Sequence, residues 1–141
     1  MRGGHCVKHW SSTQTTVTLS SGEAELGGIC KGASHALGLQ SLANDLGIPL
    51  QLEVLADATA AIGICRRRGL GKIRHLHVAD LWIQDRVRRG DFLLTKCLGQ
   101  DNPADMLTKH VSKETMLKHM QFLGLIAEDG RAASAPTIDH K

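Results

Sequence analysis

Apolar and polar residues follow two different periods along the chain, and these periods predict a mixture of strands and helices. Residues 15–19 alternate β-branched and apolar side chains, a pattern typical of a strand. From about residue 21 to 46, apolar residues recur at the spacing of one helix face. Ser20, followed three residues later by Glu23, forms a capping-box pattern that predicts where this helix begins. Gly47-Ile48-Pro49 predicts its end.

The later segments continue the same two patterns. They are a buried strand over 50–56, a short apolar helix over 58–65, an amphipathic helix over about 73–88, a strand over 92–98, and helical segments over 104–109 and 113–125. Alternation of strands and helices predicts a layered α/β domain. In such domains ligands bind beyond the carboxyl ends of strands, and Asp57 directly follows the strand predicted over 50–56.

The length and composition predict one domain with a packed core. The chain has 141 residues, of which 42% are hydrophobic and only 3% aromatic, so Leu, Ile, Val and Ala must fill most of that core. We expect a domain over 1–126 and a disordered tail over 127–141, because the tail is rich in small, polar and charged residues. No secretory signal or membrane-spanning run is recognised, which predicts an intracellular protein, cytoplasmic or nuclear, without a membrane partner.

The four cysteines are widely spaced and form no CxxC pair. Several lie in apolar stretches, where buried reduced thiols are the usual outcome. A zinc site built from Cys6, His9 and later histidines is the less favoured alternative.

Positive charge is concentrated in one part of the chain. The net charge is only +3, but eight of the 17 Lys and Arg residues lie between 66 and 89. They are Arg66, Arg67, Arg68, Lys72, Arg74, Arg86, Arg88 and Arg89. Such a cluster favours a polyanionic partner bound in a salt-dependent way. The alternative is a solvated helix face near Asp80 and Asp85, and charge alone does not decide between the two.

Three acidic residues lie where one predicted element gives way to the next: Glu25, Asp57 and Asp105. Carboxylates that are distant in sequence but converge in space are the ligands of a magnesium-dependent site that cleaves phosphodiesters. Each also has a structural alternative. Glu23 competes with Glu25 for the catalytic role, Asp57 could cap the following helix, and Asp105 could stabilise a helix start through the macrodipole.

The motifs around these acids form a recognisable set. They are His9-Trp10-Ser11-Ser12-Thr13-Gln14, Leu19-Ser20-Ser21-Gly22-Glu23-Ala24-Glu25, Ala56-Asp57-Ala58-Thr59-Ala60-Ala61, Lys72-Ile73-Arg74-His75 and Asn102-Pro103-Ala104-Asp105-Met106-Leu107-Thr108-Lys109. In residues, order and spacing this set resembles the ribonuclease H domain that closes the polyprotein of copia-type LTR retrotransposons. The resemblance covers about residues 3 to 125.

The resemblance implies a ribonuclease-H-like mixed sheet flanked by helices, and two-metal cleavage of the RNA strand of RNA–DNA hybrids. Two Mg²⁺ ions would be held by Glu25, Asp57 and Asp105, which are also the expected catalytic residues. The family's catalytic glutamate matches Glu25, while Glu23 suits the capping box. The expected contacts to nucleic acid are Arg66, Arg67, Arg68, Lys72, Arg74, His75 and Lys109. Lys109 lies one turn after Asp105, so it either contacts phosphate or pairs with that aspartate.

The sequence also departs from the family pattern. Ala58 replaces the usual asparagine after the central aspartate, and His77 replaces an acid. The family's first carboxylate precedes the Trp10 motif, yet no acidic residue precedes Glu23. We therefore expect a domain incomplete at the amino terminus, lacking the first strand and first aspartate, with weak or no activity as it stands.

Two alternatives to the enzyme remain. One is a non-catalytic remnant that still binds nucleic acid, and the other is a module completed by a strand from a partner. The resemblance further implies upstream reverse transcriptase and integrase segments in the same polyprotein.

Overall fold

The computed structural model describes residues 6–12, 20–71 and 81–126. Their helices and strands are α1 (Ser21–Asp45), β1 (Glu53–Ala56), α2 (Thr59–Arg66), α3 (Trp82–Arg89), β2 (Leu93–Lys96) and α4 (Lys113–Phe122), with 3₁₀ helices at Gly99–Asp101 and Pro103–Leu107. These residues divide into two compact units. The larger lies within Ser12–Asn102, and the smaller lies within Met1–Ser11 together with Pro103–Lys141.

Helix α1 begins and ends at the residues that the sequence signals predicted. The Ser20 hydroxyl accepts a hydrogen bond from the Glu23 N–H at 3.3 Å, which satisfies one of the free donors in the first turn. The helix ends at Asp45, and Gly47 follows in a left-handed conformation with φ of 72°. On its inner face, Leu26, Ile29 and Ala33 are buried.

Strands β1 and β2 pair in parallel, with Glu53 opposite Leu93 and Ala56 opposite Lys96. Parallel neighbours need a long crossover, and here α2 and α3 provide it. The pairing continues to the strand ends, where the Cys97 N–H donates to the Ala56 carbonyl at 3.0 Å. The carboxyl ends of both strands therefore lie at the same edge of the sheet.

The core of the larger unit is aliphatic, as the composition predicted. Helices α1, α2 and α3 contribute to one cluster with the inner face of the sheet. Its members include Leu26, Ile29, Ala61, Ile62, Cys65, Ile83, Phe92 and Leu94. Trp82 is partly buried and packs against this cluster. The described chain is thus a mixed α/β structure with four α-helices and a small parallel sheet.

Several predicted elements are shorter in the structure or lie outside the described residues. Of the helix predicted over 73–88, the structure describes the last part as α3, and 72–80 lie outside the described residues. The predicted strand over 15–19 and the predicted tail from Ala127 also lie outside them. The segment after Asn102 forms a 3₁₀ helix. None of the described helices is both long enough and apolar enough to cross a membrane.

Candidate nucleic-acid and metal site

Asp57 lies at the carboxyl edge of the parallel sheet. It directly follows β1 and its side chain is half-buried. The alternative role as a helix cap is wrong, because the N-cap position of α2 is occupied by Ala58, which makes no side-chain capping bond. The carboxylate is therefore not engaged by the helix that follows it.

The turn that follows β2 faces this carboxylate. The Asn102 Nδ2 donates to the Asp57 Oδ2 at 3.5 Å, a long contact for a hydrogen bond. A Cβ on Gly99 would lie 3.8 Å from the same oxygen, so the backbone there approaches Asp57 closely. The parallel pairing of β1 and β2 explains this proximity across 45 residues, since both segments leave the sheet at one edge. Sequence reasoning missed Asn102, although it opens the motif that contains Asp105.

Glu25 lies in the second turn of α1, next to the place where α1 meets α2. A Cβ on Gly22 would lie 3.2 Å from the Ala60 Cβ, so the first turns of the two helices nearly touch. Glu25 follows Gly22 by three residues, and Asp57 precedes Ala60 by three. Each acid therefore lies three residues from this contact in the sequence. Glu25 is exposed and Glu23 is half-buried, and the choice of Glu25 as the catalytic residue stays a prediction.

Asp105 belongs to the smaller unit and lies in the 3₁₀ helix Pro103–Leu107. The Lys109 Nζ lies 3.0 Å from the Asp105 Oδ1. The Lys109 N–H also donates to the Asp105 carbonyl at 2.8 Å, which makes one helical turn between them. Lys109 thus pairs with Asp105, one of the two roles predicted for it. Its contact with phosphate stays a prediction.

The donors present fit a magnesium ion only in part. Within residues 6–12, 20–71 and 81–126, no group of three or more His, Cys, Asp or Glu side chains is placed to hold a metal ion. Asp57 offers a carboxylate and Asn102 an amide oxygen, both of the hard type that Mg²⁺ takes. Protein-bound Mg²⁺ often uses one or two carboxylates and completes its shell with water and substrate phosphates. The edge near Asp57 fits such an open site.

The three consecutive arginines differ in their contacts. The Arg66 Nη2 donates to the Leu94 carbonyl at 2.8 Å, and the Arg67 Nη2 donates to the Leu70 carbonyl at 2.6 Å. Arg68 is exposed. The other predicted contacts in this region, Lys72, Arg74 and His75, lie outside the described residues.

The arginines of α3 contact acidic side chains. Arg86 pairs with Asp91 at 2.8 Å, and Arg89 pairs with Asp85 at 2.7 Å. Arg88 also pairs with Asp85. The hydrogen bond from Arg88, together with the charges of Arg89, Arg88 and Arg86, holds the pKa of Asp85 below its usual value. This end of the cationic cluster is a solvated, ion-paired helix face.

The smaller unit contains an apolar cavity of about 230 Å³, lined by residues from both of the chain segments that form this unit. It is lined by Cys6, Lys8, His9, Trp10, Pro103, Ala104, Leu107 and Leu123. The Lys8 Nζ lies 5.7 Å from the centre of the Trp10 ring, within range of a cation–π contact. Cys6 and His9 have no third metal-ligating neighbour among the described residues.

Comparison with known proteins identified one informative relative. The chain is 26% identical over 124 residues to a protein named "Retrovirus-related Pol polyprotein from transposon TNT 1-94", from Nicotiana tabacum. This similarity supports an origin in a retrotransposon Pol polyprotein. The match covers 86% of this chain and 9% of that relative, so the chain corresponds to a small part of the whole polyprotein. No family model matches the chain, and no solved structure matches it.

Proposed function

We propose that this chain is a ribonuclease H-type segment of a copia-type retrotransposon Pol polyprotein. It binds RNA–DNA hybrids through their phosphate backbones and contributes carboxylates to Mg²⁺-dependent cleavage of the RNA strand. The similarity to the tobacco Pol polyprotein and the motifs around Glu25, Asp57 and Asp105 support this proposal.

The observation that carries the proposal is the environment of Asp57. This side chain lies at the carboxyl edge of a parallel sheet, where α/β proteins bind ligands. It is half-buried, caps no helix, and its contact with Asn102 is long. A carboxylate held at this edge without a strong partner in the described chain is suited to take a cation when substrate binds.

The roles of the individual residues follow from their positions. Asp57 would hold the cation and Asn102 would restrain its carboxylate. Glu25, beside the contact of α1 with α2, would provide a further oxygen ligand. Asp105 lies in the smaller unit and is proposed as a ligand on its sequence motif alone. Bound Mg²⁺ would supply Lewis-acid stabilisation of the attacking and leaving oxygens. Lys109 would balance the charge of Asp105 while that site is empty of substrate.

A second candidate is binding of nucleic acid without cleavage. It is favoured by the lack of a group of three or more metal ligands within the described residues, combined with the cluster of arginines. The two functions share the RNA–DNA hybrid as their ligand, and they differ in whether the carboxylates hold Mg²⁺ together for cleavage.

The test is cleavage of a labelled RNA–DNA hybrid in Mg²⁺ by the full chain and by two matched variants. Asp57→Asn removes one charge at the sheet edge. Asp45→Asn makes the same chemical change at the far end of α1, which is about 30 Å long between Glu25 and Asp45.

Loss of cleavage in Asp57→Asn but not in Asp45→Asn supports the enzyme. Equal cleavage by both variants overturns the role of Asp57. Salt-dependent binding of the hybrid without cleavage by the unmodified chain favours the second candidate, and absence of both binding and cleavage overturns the two together.

A further inference from the structure

We propose that the segment Arg66–Gly71, called here the arginine loop, is a preformed phosphate-contact loop in which Arg68 contacts phosphate and Gln84 positions the loop. This inference rests on the proposed function and assigns distinct roles to three arginines that look equivalent in sequence. The ligand group is the phosphodiester of a nucleic-acid backbone.

Gln84 fixes the middle of the arginine loop from α3. Its Oε1 accepts from the Gly69 N–H at 2.8 Å, and its Nε2 donates to the Gly69 carbonyl at 3.0 Å. The same Nε2 donates to the Ile64 carbonyl at 2.9 Å, near the end of α2. The amide thus satisfies both backbone groups of one glycine, and its neighbour Ile83 anchors α3 with an exposed fraction of 0%.

Arg67 closes the arginine loop from inside. Its Nη2 donates to the Leu70 carbonyl at 2.6 Å, and a Cβ on Gly71 would lie only 2.8 Å from its Cζ. The guanidinium therefore packs against the backbone of Gly71. Gly69 and Gly71 have φ angles of 70° and 61°, which residues other than glycine adopt only with strain. Arg67 is consequently part of the loop's own structure.

Arg66 ties the start of the arginine loop to the sheet. It is the last residue of α2, and its Nη2 donates to the Leu94 carbonyl of β2 at 2.8 Å. The loop is thus held to three elements: α2 by continuity, β2 by Arg66 and α3 by Gln84.

Arg68 lies between these fixed points with its side chain exposed. Among the described residues it has no acceptor within hydrogen-bonding distance, while Arg67 and Gly69 on either side are held by hydrogen bonds. Binding would then order only the side chain of Arg68 and not the backbone beneath it, which lowers the entropic cost. A guanidinium presented in this way binds phosphate oxygens in bidentate fashion.

The two roles predict different responses to salt. Loss of one phosphate contact reduces the slope of log affinity against log salt by about 1. Loss of a positioning residue adds the cost of ordering the loop to binding, so it weakens binding at every salt concentration and leaves the slope unchanged. This difference separates contact from positioning.

The experiment measures binding of a fluorescently labelled RNA–DNA hybrid by anisotropy from about 50 to 200 mM salt, with thermal melting of each variant. For Arg68→Ala we expect an unchanged melting temperature and a slope smaller by about 1, so that its affinity deficit shrinks about fourfold over this range. Arg68→Lys should keep the slope and lose affinity, because the bidentate geometry is lost. Gln84→Ala should weaken binding by about two- to tenfold with the slope unchanged.

Two further variants complete the test. Arg89→Ala, which removes an arginine paired with Asp85, should leave the slope unchanged. Arg67→Ala should lower the melting temperature. If Arg68→Ala keeps the wild-type salt slope, this inference is overturned and the proposed function still stands. The same holds if Arg67→Ala reduces the slope while its melting temperature stays at the wild-type value. Absence of salt-dependent binding by the unmodified chain overturns the proposed function and this inference with it.

Discussion

Cys65 should be strongly protected from alkylation in the folded protein. Its exposed fraction is 0%, and burial raises its pKa from 9.0 to about 11. At pH 8 a thiol with a pKa of 9 is about 9% ionised, whereas one with a pKa of 11 is about 0.1% ionised. Because the thiolate is the nucleophile, ionisation alone lowers the expected rate about 100-fold, and steric exclusion lowers it further.

The assay uses a brief exposure to iodoacetamide at pH 8, followed by peptide mass spectrometry that reads each cysteine separately. No disulfide joins the four described cysteines, so all four can be compared in one sample. Cys6 and Cys97 are half-buried and serve as internal references, while Cys30 is buried like Cys65. In denaturant the four rates should converge.

The reasoning is refuted if Cys65 in the native protein reacts within about tenfold of its own rate in denaturant, since the difference between the ionised fractions of this thiol at pKa 9.0 and at pKa about 11 is larger. The same pKa shift predicts a dependence of stability on pH. Because the pKa of Cys65 is higher in the folded state, the protonated thiol contributes its full stability to the folded protein below pH 9, and this contribution is lost as pH rises towards 11. Two pKa units correspond to about 2.7 kcal/mol of unfolding free energy. The loss should appear as a fall in the denaturation midpoint between pH 9 and 11, and Cys65→Ala should abolish this fall.

Three other perturbations test the packing and charges around the site. Gly71→Ala should lower the melting temperature more than Gly69→Ala. Both positions have positive φ, but only at Gly71 would the new Cβ meet the guanidinium of Arg67, at 2.8 Å. Equal shifts in melting temperature would contradict that close approach. Ile83→Ala should cost about 2 to 5 kcal/mol in chemical denaturation and Ile83→Val about 0.5 to 1.5, and equal small losses would place this side chain outside the core. Folding lowers the pKa of Asp85, so this carboxylate contributes stability above pH 3.8 that is lost as pH falls through its folded-state pKa. Asp85→Asn should therefore make the melting temperature fall less steeply as pH is lowered in the acid range.

Local signals predicted the elements that begin and end with recognisable residues. The Ser20 cap and Gly47 bracket α1 because capping and left-handed glycine act within one helical turn, and the structure confirms both ends. The position of Asp57 after a strand was also predictable, since a short apolar run followed by a polar residue indicates a strand end. These features need no knowledge of distant contacts.

Contacts between distant segments could not be read in the same way. Asn102 reaches Asp57 across 45 residues because β1 and β2 pair in parallel, and nothing in either strand's sequence specifies that partner. Gln84 looks like an ordinary polar residue of an amphipathic helix, yet its amide bonds both backbone groups of Gly69. Side-chain to backbone bonds of this kind depend on where two elements meet, which the sequence pattern leaves open.

Charge counting shows how far the structure changes a prediction about binding. The sequence has eight cationic residues between 66 and 89, and six of these are described. Five of the six donate to acceptors within the protein. They are Arg66, Arg67, Arg86, Arg88 and Arg89. If all eight contacted phosphate, this region would give a salt slope of about −7. If only Arg68, Lys72 and Arg74 contact phosphate, this region gives a salt slope of at most about 3 in magnitude. A measured slope near the larger value would mean that the ion pairs of α3 open when nucleic acid binds.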